Sequence, residues 1–527
     1  MSEQQPDSKL SDRLVFARKA SGLIRELTPL DVVIWAVGAP AVTGFLYFAP
    51  RSMYLYGLWG IIGAYVLSLL LLLPVAVTMA LAVAAMPRAG GPFPMMSRIF
   101  SPSITFLVGW IRLFGFGFVD GIISCVGVVL FASTSVFYGT LTSNKAIIDF
   151  GSALLAPTGI FIGGLIFIAV QWALTLFSMR IIKWLERALF LIPLVILALM
   201  LAFMFGYGAN YPTAFNSVYG AGVAESIIAK ASQLGFTQPS FSIDKMLLAL
   251  NVGIFAFGGF ETILMAGGEV KSPRRSLFYG LIGGLFCVLV LFIISALAVG
   301  SMGDFPNSYS YLYYVHNDVL RQIIKPGEAS IPFFAASAMP VWLAIVIPPF
   351  AVLWIIKSLL PYFIGNSRLV FSLAMDRTLP AQFANVNKYG SPTWATHLQA
   401  LLAIAGVVVF TQGVTMILAI TTASALMYYF IFGLAIMVFP YVRKDIFEKS
   451  TIQWRFAGVP VMSVLGLLTT IVGFFIFTYS LTLVNVGAVT ALCLLLAIGL
   501  VIHMYQLKKN EKQGVSLADV YSQMPPE

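Results

Sequence analysis

The feature that decides the fold is the run Phe255-Ala256-Phe257-Gly258-Gly259-Phe260-Glu261, in the middle of an apolar segment from about 246 to 266. Two adjacent glycines make a helix easy to unwind, and hydrocarbon tolerates unwound backbone only where protein or a water-filled cavity covers it. A glutamate one turn later is costly in a bilayer and usually functional. The run predicts a broken membrane helix whose free ends bind a solute. The alternative is a glycine packing face beside a protonated Glu261.

The composition indicates a membrane protein. The chain has 527 residues, of which 59% are hydrophobic and 10% charged, and this excludes an ordinary soluble protein. A transmembrane helix needs about 20 apolar residues. Twelve segments meet this length, at 30–50, 57–86, 103–137, 157–179, 186–208, 244–265, 277–301, 339–374, 394–411, 414–440, 457–481 and 484–506. We therefore predict an all-α polytopic membrane protein with twelve transmembrane helices.

Lys and Arg residues are distributed unevenly between the two sides of the predicted membrane. With both termini inside, the outer loops hold six of the 31, namely Arg51, Lys145, Lys230, Lys245, Arg321 and Lys325. Arg112 and Lys357 lie within segments, and the remaining 23 fall on the inner side. This is a strong positive-inside signal, which predicts that both termini are cytoplasmic. It also accounts for the net charge of +10 without a nucleic-acid partner.

The first segment contains a second candidate break. It reads Gly38-Ala39-Pro40-Ala41, and the proline removes one helical hydrogen bond. This break and the one at Gly258 lie five segments apart, an odd number, so two five-segment units would cross the membrane in opposite directions. The pattern predicts an inverted repeat with its binding site near the bilayer midplane. An ordinary proline kink is the alternative.

Two further charges lie inside predicted segments. Asp120 is in the third segment and Lys357 is in the eighth. Each is costly in the bilayer, and pairing would relieve both, so we predict a direct Asp120–Lys357 pair. The alternative is that the long lysine side chain reaches the membrane surface by itself.

Enzymatic and ATP-driven functions find little support. His316, His397 and His503 are scattered, and the sequence shows no metal-ligand spacing, nucleophile–base pair or P-loop. The three cysteines are widely spaced and apolar-flanked, which is typical of packing. We therefore predict a protein that is not an enzyme and uses no cofactor or metal site.

Three motifs together resemble the amino acid–polyamine–organocation (APC) superfamily of transporters. They are residues 255–261 with 268–275, residues 87–92 through 109–110, and residues 367–369 through 376–380 with 391–393. The resemblance covers most of residues 28–440. It implies a five-plus-five inverted repeat, as in a leucine-transporter-like fold, with two further C-terminal helices. It also implies uptake or exchange of amino acids or related amines.

The resulting organisation has six parts. These are a cytoplasmic N-terminal tail (1–27), a first repeat (28–208), an extracellular loop (209–243), a second repeat (244–440), the last two helices (441–507) and a cytoplasmic C-terminal tail (508–527). The first tail has no signal peptide. Its amphipathic piece from Leu14 to Arg25 is predicted to lie on the membrane surface or in solvent.

The resemblance also implies a substrate site. The helix 1 break (Gly38, Ala39, Pro40, Ala41) would face the substrate carboxylate, and the helix 6 break (Phe255, Ala256, Phe257, Gly258) would hold its amino group and side chain. Helix N-termini suit anions, and freed carbonyl groups suit an ammonium. Phe257 or Phe260 would close over the site. The chain departs from the family's Gly-Ser-Gly-Ile-like run, since Pro40 offers no N–H to a carboxylate. This leaves room for an amine or another organic cation.

The same resemblance points to a coupling site. Lys357 and Ser358 fall near the family's sodium-like position between helices 1 and 8, whereas Pro193 stands where some proton-coupled relatives have a helix 5 lysine. We predict that the Lys357 ammonium takes that position and that its protonation is coupled to transport, with Asp120 and Glu261 as further intramembrane charges. The proton is the expected coupling ion and sodium the alternative.

The predicted function is secondary active transport of amino acids or related amines across the cell (cytoplasmic) membrane by alternating access. Alternatives are an exchanger, a carrier of a different organic solute, a channel and a transporter-fold sensor. The sequence leaves the substrate, the coupling ion and the oligomeric state open.

Overall fold

The computed structural model describes residues 16–41, 44, 46–47, 49–413, 416–450, 452–482 and 486–526. The helices are α1 (Pro29–Ala41), α2 (Ala49–Ala85), α3 (Phe93–Ile99), α4 (Pro102–Leu141), α5 (Lys145–Leu155), α6 (Pro157–Thr175), α7 (Met179–Tyr207), α8 (Tyr211–Tyr219), α9 (Val223–Gln233), α10 (Ile243–Phe257), α11 (Thr262–Met265), α12 (Pro273–Ser301), α13 (Phe305–Val315), α14 (Asn317–Ile323), α15 (Ile331–Ala338), α16 (Val341–Ala344), α17 (Ile347–Met375), α18 (Thr393–Thr411), α19 (Met416–Val442), α20 (Lys444–Phe447), α21 (Val461–Thr482), α22 (Val486–Lys512) and α23 (Leu517–Ser522). Two short strands, β1 (Arg455–Phe456) and β2 (Val459–Pro460), pair antiparallel.

The predicted helical membrane architecture is confirmed. Within the described ranges, ten helices are long and apolar enough to cross a membrane. Two shorter apolar helices, Pro29–Pro40 and Met427–Val442, coincide with the first and tenth predicted segments. Helices suit these segments because a helix forms its backbone hydrogen bonds internally. The hydrocarbon of a bilayer offers no hydrogen-bond partners to backbone N–H and C=O groups. The number of twelve transmembrane helices stays a prediction.

Helix α17 occupies the centre of the bundle. It packs against α1, α4, α7, α11 and α18, and most of its residues are buried. Helix α1 lies between α12, α17 and α7. Side chains on α17 therefore reach several different helices, which decides where the polar groups of the core meet.

The segments between the long helices are partly helical. Residues 209–243 contain α8 and α9, and residues 302–338 contain α13, α14 and α15. The backbone of α2 leaves helical geometry at Gly57 (φ 76°), in the left-handed region that favours glycine. The eight residues before Gly57 therefore form a separate turn, and the long membrane helix begins after it.

The described part of the N-terminal segment, residues 16–28, contacts the helical bundle, and its predicted position on a membrane surface or in solvent stays a prediction. The first and last described segments lie on one side of the bundle, beside the end of α17, and we call this side the terminal face. Leu27 forms a parallel bridge with Val270, and the N–H groups of Glu26 and Leu27 donate to the Glu269 carbonyl at 2.9 and 3.0 Å. The described part of the predicted amphipathic piece, residues 16–25, is not helical, and the Ala17 N–H donates to the Met375 carbonyl at 3.3 Å. Leu14 lies outside the described residues.

The C-terminal segment covers the same face. Arg98 donates from Nε to the Gln523 carbonyl at 3.0 Å, and Arg88 donates from Nε to the Pro525 carbonyl at 2.9 Å. Val520 of α23 is buried. A cavity of about 340 Å³ lies beside this segment, bordered by the N-terminal segment and the end of α17. The two ends of the chain thus cover the loop that carries α3.

Candidate functional site

The helix break at Gly258 and Gly259 lies where the sequence predicts it. Helix α10 ends at Phe257, and α11 begins at Thr262. Gly259 has φ +97°, which an L side chain rarely adopts. The Tyr362 hydroxyl of α17 donates to the Gly258 carbonyl at 2.8 Å, and a Cβ at Gly259 would overlap that hydroxyl. The two glycines therefore provide both the backbone angle and the space that the break needs.

The break predicted at Gly38–Pro40 is not found there. Helix α1 continues through Gly38, Ala39 and Pro40, all buried, and ends at Ala41. Residues 42 and 43 lie outside the described part of the chain. A proline removes one helical hydrogen bond, and surrounding helices can cover the freed carbonyl, so the helix persists. Ala41, the last residue of the predicted break, is also the last residue of α1.

Because Gly38 has no side chain, it instead leaves space for a side chain from α17. The Lys357 ammonium donates to the Ile34 carbonyl at 2.8 Å, and a Cβ at Gly38 would overlap Lys357 Nζ. The Ser358 hydroxyl donates to the Gly38 carbonyl. Lys357 and Ser358 therefore lie against helix 1, where the resemblance placed them. Their role in coupling stays a prediction.

The ionic partner of Lys357 is Glu186 of α7. Lys357 Nζ lies 3.4 Å from Glu186 Oε2, and both side chains are at most 1% exposed. The predicted Asp120–Lys357 pair is therefore wrong. In the sequence, Glu186 follows Lys183 and precedes Arg187, so it looks like an ordinary helix-end charge. One signal in the sequence was an aromatic residue, Phe190, one helical turn after Glu186. In the structure the centre of its ring lies 5.6 Å from the Lys357 ammonium.

Asp120 is held by amides rather than by a cation. Gln399 of α18 donates to Asp120 Oδ2 and accepts from the Asn366 amide of α17. Asn366 also donates to the Leu113 carbonyl at 3.1 Å. All three polar side chains are fully buried. Sequence reasoning looked for an opposite charge near Asp120 and missed the two neutral amides.

Glu261 also has a charged partner, which the sequence analysis did not assign. Arg112 of α4 forms a buried ion pair with Glu261, and the Tyr429 hydroxyl donates to the same carboxylate at 2.8 Å. The Arg112 guanidinium lies 3.5 Å from the centre of the Phe116 ring. Glu261 is therefore paired with a cation and a hydroxyl donor inside the bundle.

The aromatic residues of the break are packed away from solvent. Phe257 has its ring centre 5.1 Å from that of Phe292, and Phe260 lies 6.3 Å from Tyr429. Both phenylalanines are 0% exposed. Phe255 is half-buried and Ala256 is buried in the last turn of α10. The structure thus places these four predicted residues around one interruption, while a gating role for Phe257 or Phe260 stays a prediction.

Arginine–carboxylate pairs join the helices at the terminal face. Arg187 of α7 donates to Asp31 of α1 at 2.7 Å. Arg368 of α17 donates to Glu269 at 2.7 Å, with both side chains at most 2% exposed. Similarly, Arg98 of α3 binds Asp376 through two bonds of 2.6 and 2.9 Å. Bidentate arginine pairs are geometrically specific, so these contacts hold this face closed.

A cluster of tyrosines closes the opposite face. The buried Glu328 accepts hydrogen bonds from Tyr313, at 2.8 Å, and from Tyr314. Arg51 lies 4.6 Å from the centre of the Tyr314 ring and donates to the Tyr47 hydroxyl at 2.7 Å. Burial raises the pKa of Glu328, although its tyrosine donors and Arg51 act in the other direction. The interrupted helix therefore lies between two faces that each contain buried polar contacts.

Apolar helices of membrane length, an unwound helix at their centre and ion pairs buried between them define a multi-pass membrane transporter. The chain belongs to the amino acid permease family, whose family model matches residues 27–512. This confirms the APC resemblance, and the family is one of transporters rather than enzymes.

Three relatives illustrate the range of the family. A glutamate/serine transporter of Bacillus subtilis is 23% identical over 93% of this chain and 83% of its own length. An uncharacterized transporter of Legionella pneumophila is 32% identical over 29% of this chain and 30% of its own length. A methylthioribose transporter of Bacillus subtilis is 25% identical over 40% of this chain and 45% of its own length. The chain therefore spans less than half the length of the last two.

Proposed function

We propose that this chain is a secondary active transporter that moves amino acids or related amines across the cytoplasmic membrane by alternating access. Support comes from the family match over residues 27–512 and from the interruption between α10 and α11. Free backbone groups at such an interruption can bind the charged ends of an amino acid without a charged side chain.

We propose that transport is coupled to protons through Lys357. The observation that carries this proposal is that one buried ammonium bonds to the Ile34 carbonyl of α1 and pairs with Glu186 of α7. While Lys357 is protonated, it fastens α1 to both α7 and α17. When the proton leaves, the attraction to Glu186 is lost and α1 is free to move. The charge on one side chain thereby controls a contact between three helices.

The charges near the interruption favour a substrate with no net charge. Lys357 is paired with Glu186, and Glu261 is paired with Arg112, so neither pair leaves an excess charge for a substrate side chain. A neutral zwitterionic amino acid would fit this balance, because the backbone at Gly258 can hold its ammonium. The relatives named for glutamate, serine and methylthioribose make these solutes necessary members of any test panel.

The inverted repeat, the twelve transmembrane helices and the cytoplasmic position of both termini are part of this proposal. They are supported by the positions of α1 and α10, five predicted segments apart. Single cysteines can test the topology in a background that lacks Cys125, Cys287 and Cys493. A membrane-impermeant maleimide added to whole cells should label Lys325→Cys and spare Lys388→Cys. The reverse labelling would contradict the orientation.

The deciding experiment is uptake into proteoliposomes with and without an inward proton gradient. The panel contains labelled leucine, serine, glutamate, lysine, a polyamine and methylthioribose. Gradient-driven accumulation of a zwitterion is expected, and Lys357→Met should abolish it, whereas the exposed control Lys145→Met should not. Exchange without accumulation would contradict the coupling role. Downhill flux that never accumulates solute would indicate a channel, and no flux at all would leave a sensor or another solute.

A further inference from the structure

A layer of buried polar side chains crosses four helices away from the Lys357–Glu186 pair. It contains Asp120 of α4, Gln171 of α6, Asn366 of α17 and Gln399 of α18, each 0% exposed. Hydrogen bonds join Asn366 to Gln399 and Gln399 to Asp120. In a core of membrane helices, buried groups of this kind are expensive and usually functional.

The helix register places Gln171 in the same layer. Cys125, Ile168, Phe363 and Ala403 pack together in a small apolar cluster. Moving toward the terminal face, Gln171 follows Ile168 by three residues, Asn366 follows Phe363 by three, Gln399 precedes Ala403 by four, and Asp120 precedes Cys125 by five. At a rise of about 1.5 Å per residue, these offsets bring the four polar groups to one level below the cluster.

The layer has an unbalanced charge and several unused oxygen atoms. In the described part of the chain, no lysine, arginine or histidine forms an ion pair with Asp120. Asp120 Oδ1 and Asn366 Oδ1 are buried without hydrogen-bond partners, as are both amide atoms of Gln171. Among the described residues, three acceptor oxygens, one of them on the carboxyl group of Asp120, and the amide nitrogen of Gln171 therefore have no partner.

We infer that this layer binds a small monovalent cation, with sodium as the probe. A buried water molecule would donate hydrogen bonds to the oxygens but would leave the charge of Asp120 uncompensated. A proton on Asp120 would remove the charge and could donate to one of the two amide oxygens, but the other amide oxygen would still lack a donor. A cation satisfies both requirements, because carboxylate and amide oxygens are the ligands that hard cations prefer.

The charged and titratable neighbours of Asp120 supply no competing positive charge. On α17, the nearest titratable group is the Tyr362 phenol. On α4, Arg112 is held by Glu261. Helices α6 and α18 contribute amides, and His397 of α18 is bonded to the Trp172 indole at 2.8 Å.

The test measures thermal unfolding of the purified full-length protein in lipid nanodiscs. Sodium chloride is compared with N-methyl-D-glucamine chloride at equal ionic strength and constant pH. Sodium should raise the unfolding midpoint of the unmodified protein by roughly 2 °C or more when it is well above its dissociation constant. Asp120→Asn should abolish this rise, and its midpoint without sodium should be higher than that of the unmodified protein, because the unpaired charge is gone.

Two further variants separate binding from folding. The exposed Asp149→Asn should keep the full sodium effect. Asn366→Leu keeps Asp120 but removes an oxygen, so the sodium concentration at half-effect should rise by about tenfold, the equivalent of one strong ligand. A sodium effect that persists in Asp120→Asn would overturn the inference. So would a midpoint that responds to pH and not to sodium, which would assign a proton to Asp120. These outcomes do not depend on whether the protein carries amino acids.

Discussion

Glu186 and Asp120 are both buried against α17, and the structure compensates these two carboxylates differently. Glu186 of α7 faces the Lys357 ammonium at 3.4 Å. Asp120 of α4 faces the neutral amide of Gln399, and its second oxygen has no partner. The first carboxylate belongs to a contact that includes α1, and the second belongs to a layer between α4, α6, α17 and α18.

The difference shows that the role of a buried carboxylate depends on whether a charged or a neutral group compensates it. An ion pair between two helices stabilises their packing through the attraction of its two charges. A change in the protonation of either group therefore alters how the helices are held. An amide layer has no opposite charge to lose, so it can accept a charged ligand from outside. The comparison predicts opposite responses to neutralising substitutions in the two regions.

The largest effect is expected for the Lys357–Glu186 pair. Lys357→Met or Glu186→Gln alone leaves one buried charge without its partner, and each should lower the free energy of unfolding by about 3–5 kcal/mol. The double variant removes both charges and should regain most of that loss. Detergent-solubilised protein can be compared by thermal unfolding in a double-mutant cycle. Additive losses in the double variant would show that the two side chains do not interact.

A smaller effect is expected at Gly38. Gly38→Ala places a methyl group where Lys357 Nζ lies, so the lysine must shift, at a cost of about 1–3 kcal/mol in unfolding free energy. Gly206→Ala on α7 is the matched control, because nothing lies within 4 Å of a Cβ at that position. In a Lys357→Ala background the Gly38→Ala cost should shrink. An unchanged cost there would place the clash elsewhere on α1.

The smallest effect is expected at Glu328, a third buried carboxylate, which lies in the loop at the opposite face. Its pKa is raised by burial, so the folded protein holds this proton to higher pH than the unfolded chain does. Stability should therefore fall as pH rises from the ordinary glutamate range through the raised pKa, by at most about 1.4 kcal/mol per pH unit. Glu328→Gln should flatten that slope. An equal slope in the variant would assign the titration to another group.

The sequence predicted the backbone of the central site better than its side-chain pairs. The glycines at 258 and 259 carry their own signal, because their conformational freedom is a local property. The contact of Lys357 with helix 1 followed from the APC resemblance. Helix α1 continues through Gly38 and Pro40 because the surrounding helices tolerate the proline, and no local rule includes those neighbours.

The pairing errors have one physical cause. Hydropathy identifies which residues are in a span, but the rotation of each helix decides which side chains meet. Asp120 and Lys357 are both intramembrane charges, yet they face different neighbours across α17. Glu186 and Gln399 were missed because a charge at a helix start and a neutral amide both look ordinary without knowledge of the facing helix.

Helix α17 fastens a different neighbour at almost every turn. Its attachments are Lys357 to α1 and α7, Tyr362 to the helix break, Asn366 to α4 and α18, and Arg368 to Glu269. Asp376, directly after the helix, binds α3. The spacing of these side chains along the helix therefore matters more than any single one of them. One inserted residue would rotate every later side chain by about 100° about the helix axis and would misalign all of the later contacts together. Homologous chains should therefore vary in the residues of this helix but not in the spacing between them.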